Sequence, residues 1–256
     1  MEKHNNGNSR GTLFVVGTGP GSSRYLTAAA AAVLKNADVI IGYRTYLDLI
    51  PEYLEGKKVI SSEMMKEVDR CRESLEIASR GKQVALVSGG DPGIYAMAGL
   101  VYEMAKESEF PCRIEIIPGL AAINSCAARL GAPLMHDFAA VSLSDLLTPW
   151  EVIEKRLKAA AEADFVTAIY NPKSKKRTEQ IVRTREIFLT CRDPQTPVGI
   201  VTAATRENEK IVITTLDKML DNEITMQSTL IIGNSQTYSW NDLMVTPRGY
   251  KKKYEL

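Results

Sequence analysis

Three short apolar runs in this chain end in glycine-rich loops, with helix-forming stretches between them. Val16 leads into Gly17-Thr18-Gly19-Pro20-Gly21-Ser22. Val87 leads into Ser88-Gly89-Gly90-Asp91-Pro92-Gly93-Ile94, and Ile117 into Pro118-Gly119-Leu120-Ala121-Ala122. A short apolar run bounded by glycine reads as a buried strand. Strands that alternate with helices lie parallel and are joined by crossovers, so the pattern constrains the chain to an α/β sheet. Glycine at a strand end also admits positive φ and lets a ligand approach the backbone. Open α/β sheets bind their ligands at those carboxyl ends.

The elements follow from this pattern. Thr12–Val16, Asp38–Ile41, Gln83–Val87 and Arg113–Ile117 read as strands of a mainly parallel first sheet. Thr27–Lys35 reads as a helix, rich in alanine and capped by Thr27. Glu67–Ser79 is a second helix, with Val68, Cys71, Leu75 and Ala78 at helical spacing. A third runs from Gly93 to Ala105, so that Asp91 stands where the helix begins. In the second half, Phe138–Ser142, Asp164–Tyr170, Val198–Val201, Glu209–Thr214 and Thr229–Ile232 read as strands. Trp150–Ala163 and Lys176–Leu189 read as helices. The later strands are β-branched and closely spaced, which predicts antiparallel pairs in a second, mixed sheet. The expected organisation is two α/β domains, 12–120 and 121–250, with a joining helix within 119–131. Residues 1–11 read as a disordered lead-in with no apolar core for a secretion signal.

Charge and composition exclude several classes of function. The chain carries 32 Lys+Arg against 31 Asp+Glu, a net charge of +1. General nucleic-acid binding needs a basic excess and is disfavoured. The uncharged stretch Ile224–Trp240 is interrupted by polar residues, so no membrane helix is expected. The four cysteines, Cys71, Cys112, Cys126 and Cys191, are far apart, and the two histidines are His4 and His136. That spacing argues against a zinc cluster or a disulfide framework and for a reducing, cytoplasmic setting without a bound metal.

The glycine loops fit neither common phosphate cradle. The first lacks the G-x-G-x-x-G spacing, Pro20 occupies its turn, and the next strand ends in Gly42-Tyr43 with no acid for a ribose hydroxyl. No glycine loop ends in Gly-Lys-Ser/Thr.

Taken in order, the three loops resemble those of the tetrapyrrole (corrin/porphyrin) methylase family over about Leu13 to Tyr250. Val201-Thr202-Ala203-Ala204-Thr205-Arg206 and Thr229-Leu230-Ile231-Ile232-Gly233 resemble its later motifs. Gly42-Tyr43-Arg44-Thr45-Tyr46, Leu130–Phe138, Ser142–Trp150 and Tyr170-Asn171-Pro172-Lys173-Ser174 resemble the branch that methylates precorrin-3B or cobalt-factor III at C-17. The resemblance implies two α/β domains with a cleft between them and an S-adenosylmethionine-dependent methyltransferase of cobalamin biosynthesis. It also implies ring contraction of the macrocycle, S-adenosylhomocysteine as product and a homodimer. It places the methyl donor against Pro20, Gly89, Gly90, Asp91, Ile94, Ala121, Ala122, Tyr170, Asn171 and Ala204. Ala121 departs from the Thr or Ser often found there, which removes one side-chain hydrogen bond.

Methyl transfer from a sulfonium is an in-line displacement, so the protein's task is alignment, with no nucleophilic side chain needed. A corrin precursor carries many carboxylates, which guanidinium and ammonium groups match. Arg44, Lys173, Lys175, Lys176, Arg177 and Arg206 are the candidates for them. Ring contraction calls for proton movement, and His136, Ser142, Ser144 and Asp145 are the candidates for that. Two other readings share these residues: methylation of a different tetrapyrrole position, and tetrapyrrole binding without turnover.

Overall fold

The structure is a computed structural model that describes residues 11–63 and 65–255. The expected lead-in, Gly11 apart, lies outside the described residues. The chain divides into two compact units, one ending at Ala122 and the other beginning at Ile123.

The first unit contains β1 (Thr12–Gly17), α1 (Ala28–Asn36), β2 (Val39–Tyr43), α2 (Arg44–Leu47) and β3 (Lys58–Ser62). It continues with α3 (Glu67–Ser79), β4 (Gln83–Ser88), α4 (Ala98–Ser108) and β5 (Arg113–Ile117). Its sheet has the order β3-β2-β4-β1-β5, and every neighbouring pair is parallel. Side chains alternate across a strand, and the core follows that period. Leu13, Val15, Ile41, Val84 and Leu86 pack on one face with Cys71, Leu75 and Ala78 of α3 and Val101 of α4. Val16, Ile40, Ala85 and Val87 pack on the other with Ala30 and Leu34 of α1. Thr27 caps α1 through a 3.1 Å hydrogen bond from the Ala30 amide to its Oγ1.

The second unit opens on α5 (Ala122–Leu130), all but the first residue of which belongs to it. It contains β6 (Gly131–Ala132), β7 (Phe138–Ser142), α6 (Trp150–Glu162), β8 (Val166–Tyr170), α7 (Glu179–Leu189) and β9 (Pro197–Thr202). The remaining strands are β10 (Lys210–Thr215), β11 (Ser228–Ile232), β12 (Tyr238–Trp240) and β13 (Leu243–Val245). The main sheet has the order β10-β9-β11-β8-β7. Only β7 and β8 pair in parallel there, so the sheet is mixed as expected. A small sheet, β12-β13-β6, holds the remaining strands. The core of this unit joins Ile153 and Leu157 of α6 and Ile181 and Phe188 of α7 to Ile169, Ile200 and Leu230 of the sheet.

Some sequence expectations need correction. The helix expected from Gly93 begins at Ala98. Residues 91–97 instead make turns, and Tyr95 takes a left-handed φ of 52° that no helix continues through. The helix expected from Lys176 begins at Glu179. Ser174 and Arg177 close a turn before it, with Ser174 N donating to Arg177 O and Arg177 N donating to Ser174 Oγ. Val68 has the spacing of a core residue but is exposed, while Cys71, Leu75 and Ala78 are buried. β3 was not expected: it is a polar edge strand with only Val59 and Ile60 to mark it.

Candidate active site

In the first unit the three glycine loops meet at the carboxyl ends of β1, β4 and β5. Gly19 and Gly90 form an isolated antiparallel bridge, with Gly19 N donating to Gly90 O at 3.1 Å and Gly90 N donating to Gly19 O at 2.8 Å. Thr18 ties the same two loops, its amide and its hydroxyl both donating to Ser88 O. Asp91 is the joint to the third loop. Its Oδ1 accepts from Gly93 N at 2.8 Å and its Oδ2 from Gly119 N at 3.1 Å. Asp91 therefore braces a loop and does not cap the following helix, whose N-cap is Met97.

Two glycines are required by this geometry. A Cβ on Gly119 would lie 2.1 Å from Gly90 O, so only glycine permits the loops to touch. Gly90 has a φ of 67°, and a Cβ there would meet nothing closer than Ala122 N at 3.8 Å. The chain thus leaves open, half-exposed backbone at Gly89–Asp91, with Ile94 exposed beside it and Ala121 buried behind it. Pro20 is buried within the first loop. Tyr46 underlies Gly89, where a Cβ would come 2.5 Å from its ring. The sequence marks Tyr46 as the last residue of the Gly42–Tyr46 motif but not as a neighbour of Gly89. Arg44 is exposed at the start of α2.

In the second unit the parallel pair β7–β8 sets the geometry. The carboxyl ends of both strands lie side by side, with Ser142 paired to Tyr170. Tyr170 Oη accepts from Ile123 N at 2.9 Å, at the start of α5. Asn171 takes a left-handed φ of 49°, and its Nδ2 donates to Ser142 Oγ at 2.9 Å. Ser142 Oγ also accepts from Ser144 N at 3.2 Å, which folds the loop after β7 back on the strand end. Asp145 Oδ2 accepts from Gln180 Nε2 of α7 at 2.7 Å. Gln180 is without a signal in the sequence, being one polar residue on an amphipathic helix.

Arg177 needs correction as a substrate contact. It is buried, its side chain only 9% exposed. Its guanidinium donates to Asn171 O at 2.9 Å and lies 4.0 Å from Asp145 Oδ1. The fork is engaged within the protein, whereas Lys175 and Lys176 of the same loop are exposed and Lys173 is half-buried.

The proton-handling candidates are not brought together. Ser144 and Asp145 follow the carboxyl end of β7, and His136 precedes its amino end. Five strand residues at about 3.3 Å each put roughly 17 Å between those ends. His136 Nδ1 accepts from the Asp137 amide at 2.9 Å, a local loop contact. Asp137 O in turn accepts from Val166 N, at the amino end of β8.

The loop after β9 contains Ala204, nearly buried between Ala203 and Thr205, which have left-handed φ values of 50° and 68°. Glu209 holds this loop: its Oε2 accepts from Thr205 N and, at 2.8 Å, from Arg129 Nε of α5. Arg206 N donates to Ala203 O. Among the described residues, no three His, Cys, Asp or Glu side chains are grouped to hold a metal ion.

A family model described as Tetrapyrrole (Corrin/Porphyrin) Methylases matches residues 12–220. The chain belongs to the tetrapyrrole methylases. The match takes in the three glycine loops, the β7–β8 ends and the loop at Ala204. The chain is 52% identical over 251 residues to the cobalt-factor III methyltransferase of Priestia megaterium, covering 96% of this chain and 46% of that protein. It therefore spans about half the length of that relative. It is 46% identical over 238 residues to a probable cobalt-factor III C(17)-methyltransferase of Salmonella typhimurium, covering 93% of this chain and 99% of the relative. A crystal structure of the methyltransferase CobJ superposes with a TM-score of 0.88 at 36% identity, over 93% of this chain and all of that one.

Proposed function

We propose that this tetrapyrrole methylase transfers a methyl group from S-adenosylmethionine to C-17 of a corrin precursor in cobalamin biosynthesis, with contraction of the macrocycle. The observation that carries this reading is the near full-length match to a relative named a probable cobalt-factor III C(17)-methyltransferase. The Priestia relative is named for the same substrate, which favours cobalt-factor III over precorrin-3B. When bound, the donor supplies an electrophilic methyl group. The protein's part is to bind and align. The open backbone at Gly89–Asp91, with Ile94, Ala121 and Ala122, is suited to the adenosine end. Tyr170, Asn171 and Ala204 are the donor contacts proposed from the second unit. Lys173, Lys175 and Lys176 are the proposed partners of the acceptor's carboxylates. Proton movement during contraction is assigned to the loop of Ser144 and Asp145, which adjoins Asn171.

The test is anaerobic incubation with cobalt-factor III or precorrin-3B and donor labelled in its methyl group, followed by mass spectrometry. A corrinoid carrying one labelled methyl and a contracted ring is expected. A label at another ring position would move the acceptor assignment, and donor binding without any transfer would leave only a tetrapyrrole-binding role. The family resemblance supports a homodimer, and the scattered cysteines support a reducing, cytoplasmic setting. Sedimentation at micromolar concentration showing only a 28.2 kDa species would remove the dimer.

A further inference from the structure

The sequence makes Arg177 a candidate for the acceptor's carboxylates, yet it is one of three buried arginines among the described residues. The other two, Arg70 and Arg192, bind groups outside the candidate site. Arg70 holds Ser62 Oγ and Glu63 O, and Arg192 holds Ala161 O and Asp164. Arg177 differs in what it holds. Its Nη2 donates to the carbonyl of Asn171, the residue that leaves β8 with a φ of 49°. Asparagine is one of the few non-glycine residues that adopt that region, though it adopts others as readily. Two hydrogen bonds hold Asn171 there. Its side-chain amide donates to Ser142 Oγ, and its carbonyl accepts from Arg177. Arg177 is fixed in its turn by Ser174 on the backbone side and by Asp145 near its other terminal nitrogen. Asp145 is held by Gln180 from the first turn of α7.

We propose that Arg177 is a positioning residue for Asn171, pinning it in the left-handed turn that presents its side chain to the methyl donor. The inference rests on the donor reading of Asn171 given above. Asp145 and Gln180 complete the pin by orienting the guanidinium. The loop's basic residues then divide by role: Arg177 shapes the donor contact from inside, and the exposed lysines face the solvent.

The test compares binding of S-adenosylhomocysteine by calorimetry to the wild type, Arg177→Met and Arg192→Met, with melting temperature measured for each. Arg192→Met is the control for losing a buried arginine of the same unit. Arg177→Met should raise the dissociation constant about tenfold or more, as expected for loss of a charged hydrogen bond that orders the site. Arg192→Met should lower the melting temperature and leave the dissociation constant unchanged. Combined with Asn171→Ala, the loss from Arg177→Met should not add, because both changes remove one positioned group. Should Arg177→Met not fold, Arg177→Lys keeps the charge without the planar fork, and the same weakening and the same non-additivity are expected. Normal binding by the Arg177 variants, equal weakening by Arg192→Met, or strict additivity with Asn171→Ala would overturn the inference while leaving the donor site in place. Failure of the wild type to bind would instead overturn the donor reading, and this inference with it.

Discussion

Gly90 is the residue on which the proposed donor site turns, because its left-handed φ and its open surroundings make two separate demands. Gly90→Val should both strain the backbone, by about 1–2 kcal/mol, and obstruct the ligand. Gly90→Asn separates the two, since asparagine tolerates the left-handed region. Calorimetry should show donor binding lost in both variants, with the melting temperature falling mainly in the valine one. Normal binding by Gly90→Asn would mean that the donor does not approach this backbone. His136 makes the opposite case. Its place at the amino end of β7, bonded to its own neighbour's amide, predicts that His136→Ala forms contracted product at the normal rate. A slowing of about 10²–10⁴-fold would restore it as a general acid or base. The cysteines offer a third test. Burial pushes the Cys71 thiol up from 9.0 to about 12 and Cys126 up to about 11. The folded chain thus keeps protons that the unfolded chain releases, so these thiols stabilise the fold fully below about pH 9. That contribution is lost as pH rises through their raised values. At pH 8 an alkylating reagent should label the exposed Cys191 in native protein and spare Cys71 and Cys126 until denaturant is added. Labelling of Cys71 at the rate of Cys191 would contradict its burial.

Elements were legible where one local signal sufficed. The buried strands β1 and β4 and the half-buried edge strand β5 have firm ends, and the sequence places them to within a residue. α3 is bounded as expected even though Val68 faces out, because three of its four spaced apolar residues still make a core stripe. α4 shows what local signals miss. Pro92 and Gly93 look like a helix start, but Asp91 spends both carboxylate oxygens on the amides of Gly93 and Gly119, which fixes a turn. The second of those contacts spans 28 residues, so no reading of neighbouring residues finds it. The same limit hid the role of Arg177, whose acceptor Asn171 is a backbone carbonyl without any side-chain signature. The cap of α1, by contrast, was plain in Thr27 and the alanines after it. Thr27 does more than cap, because its hydroxyl also donates to Pro118 O in the loop after β5, at 3.3 Å. Thr27→Ala should cost about 1 kcal/mol, the usual loss for such a cap. Thermal unfolding checks the amount. An unchanged melting temperature would show that neither bond stabilises the fold.

Over the whole molecule the charges nearly cancel, at +1, so attraction for a polycarboxylate has to come from local grouping. Lys173, Lys175 and Lys176, the proposed source of it, are grouped in one loop after β8, next to the turn of Asn171. Arg177 adds charge there but is buried and directed inward, so it does not belong with the lysines in a test of long-range attraction. Exposed charges act through solvent, and the screening length falls from about 10 Å at 0.1 M salt to about 3 Å at 1 M. Replacing the three lysines with Gln should therefore raise the acceptor's apparent dissociation constant at low salt and flatten its dependence on salt. Donor affinity should not move, because none of the proposed donor contacts is one of these lysines. The measurement is a pair of titrations, of corrinoid and of S-adenosylhomocysteine, at several salt concentrations. A parallel loss of both affinities would show that the lysines shape the loop. An unchanged salt slope would show that the acceptor's carboxylates are met elsewhere, with Arg44 and Arg206 the next residues to replace.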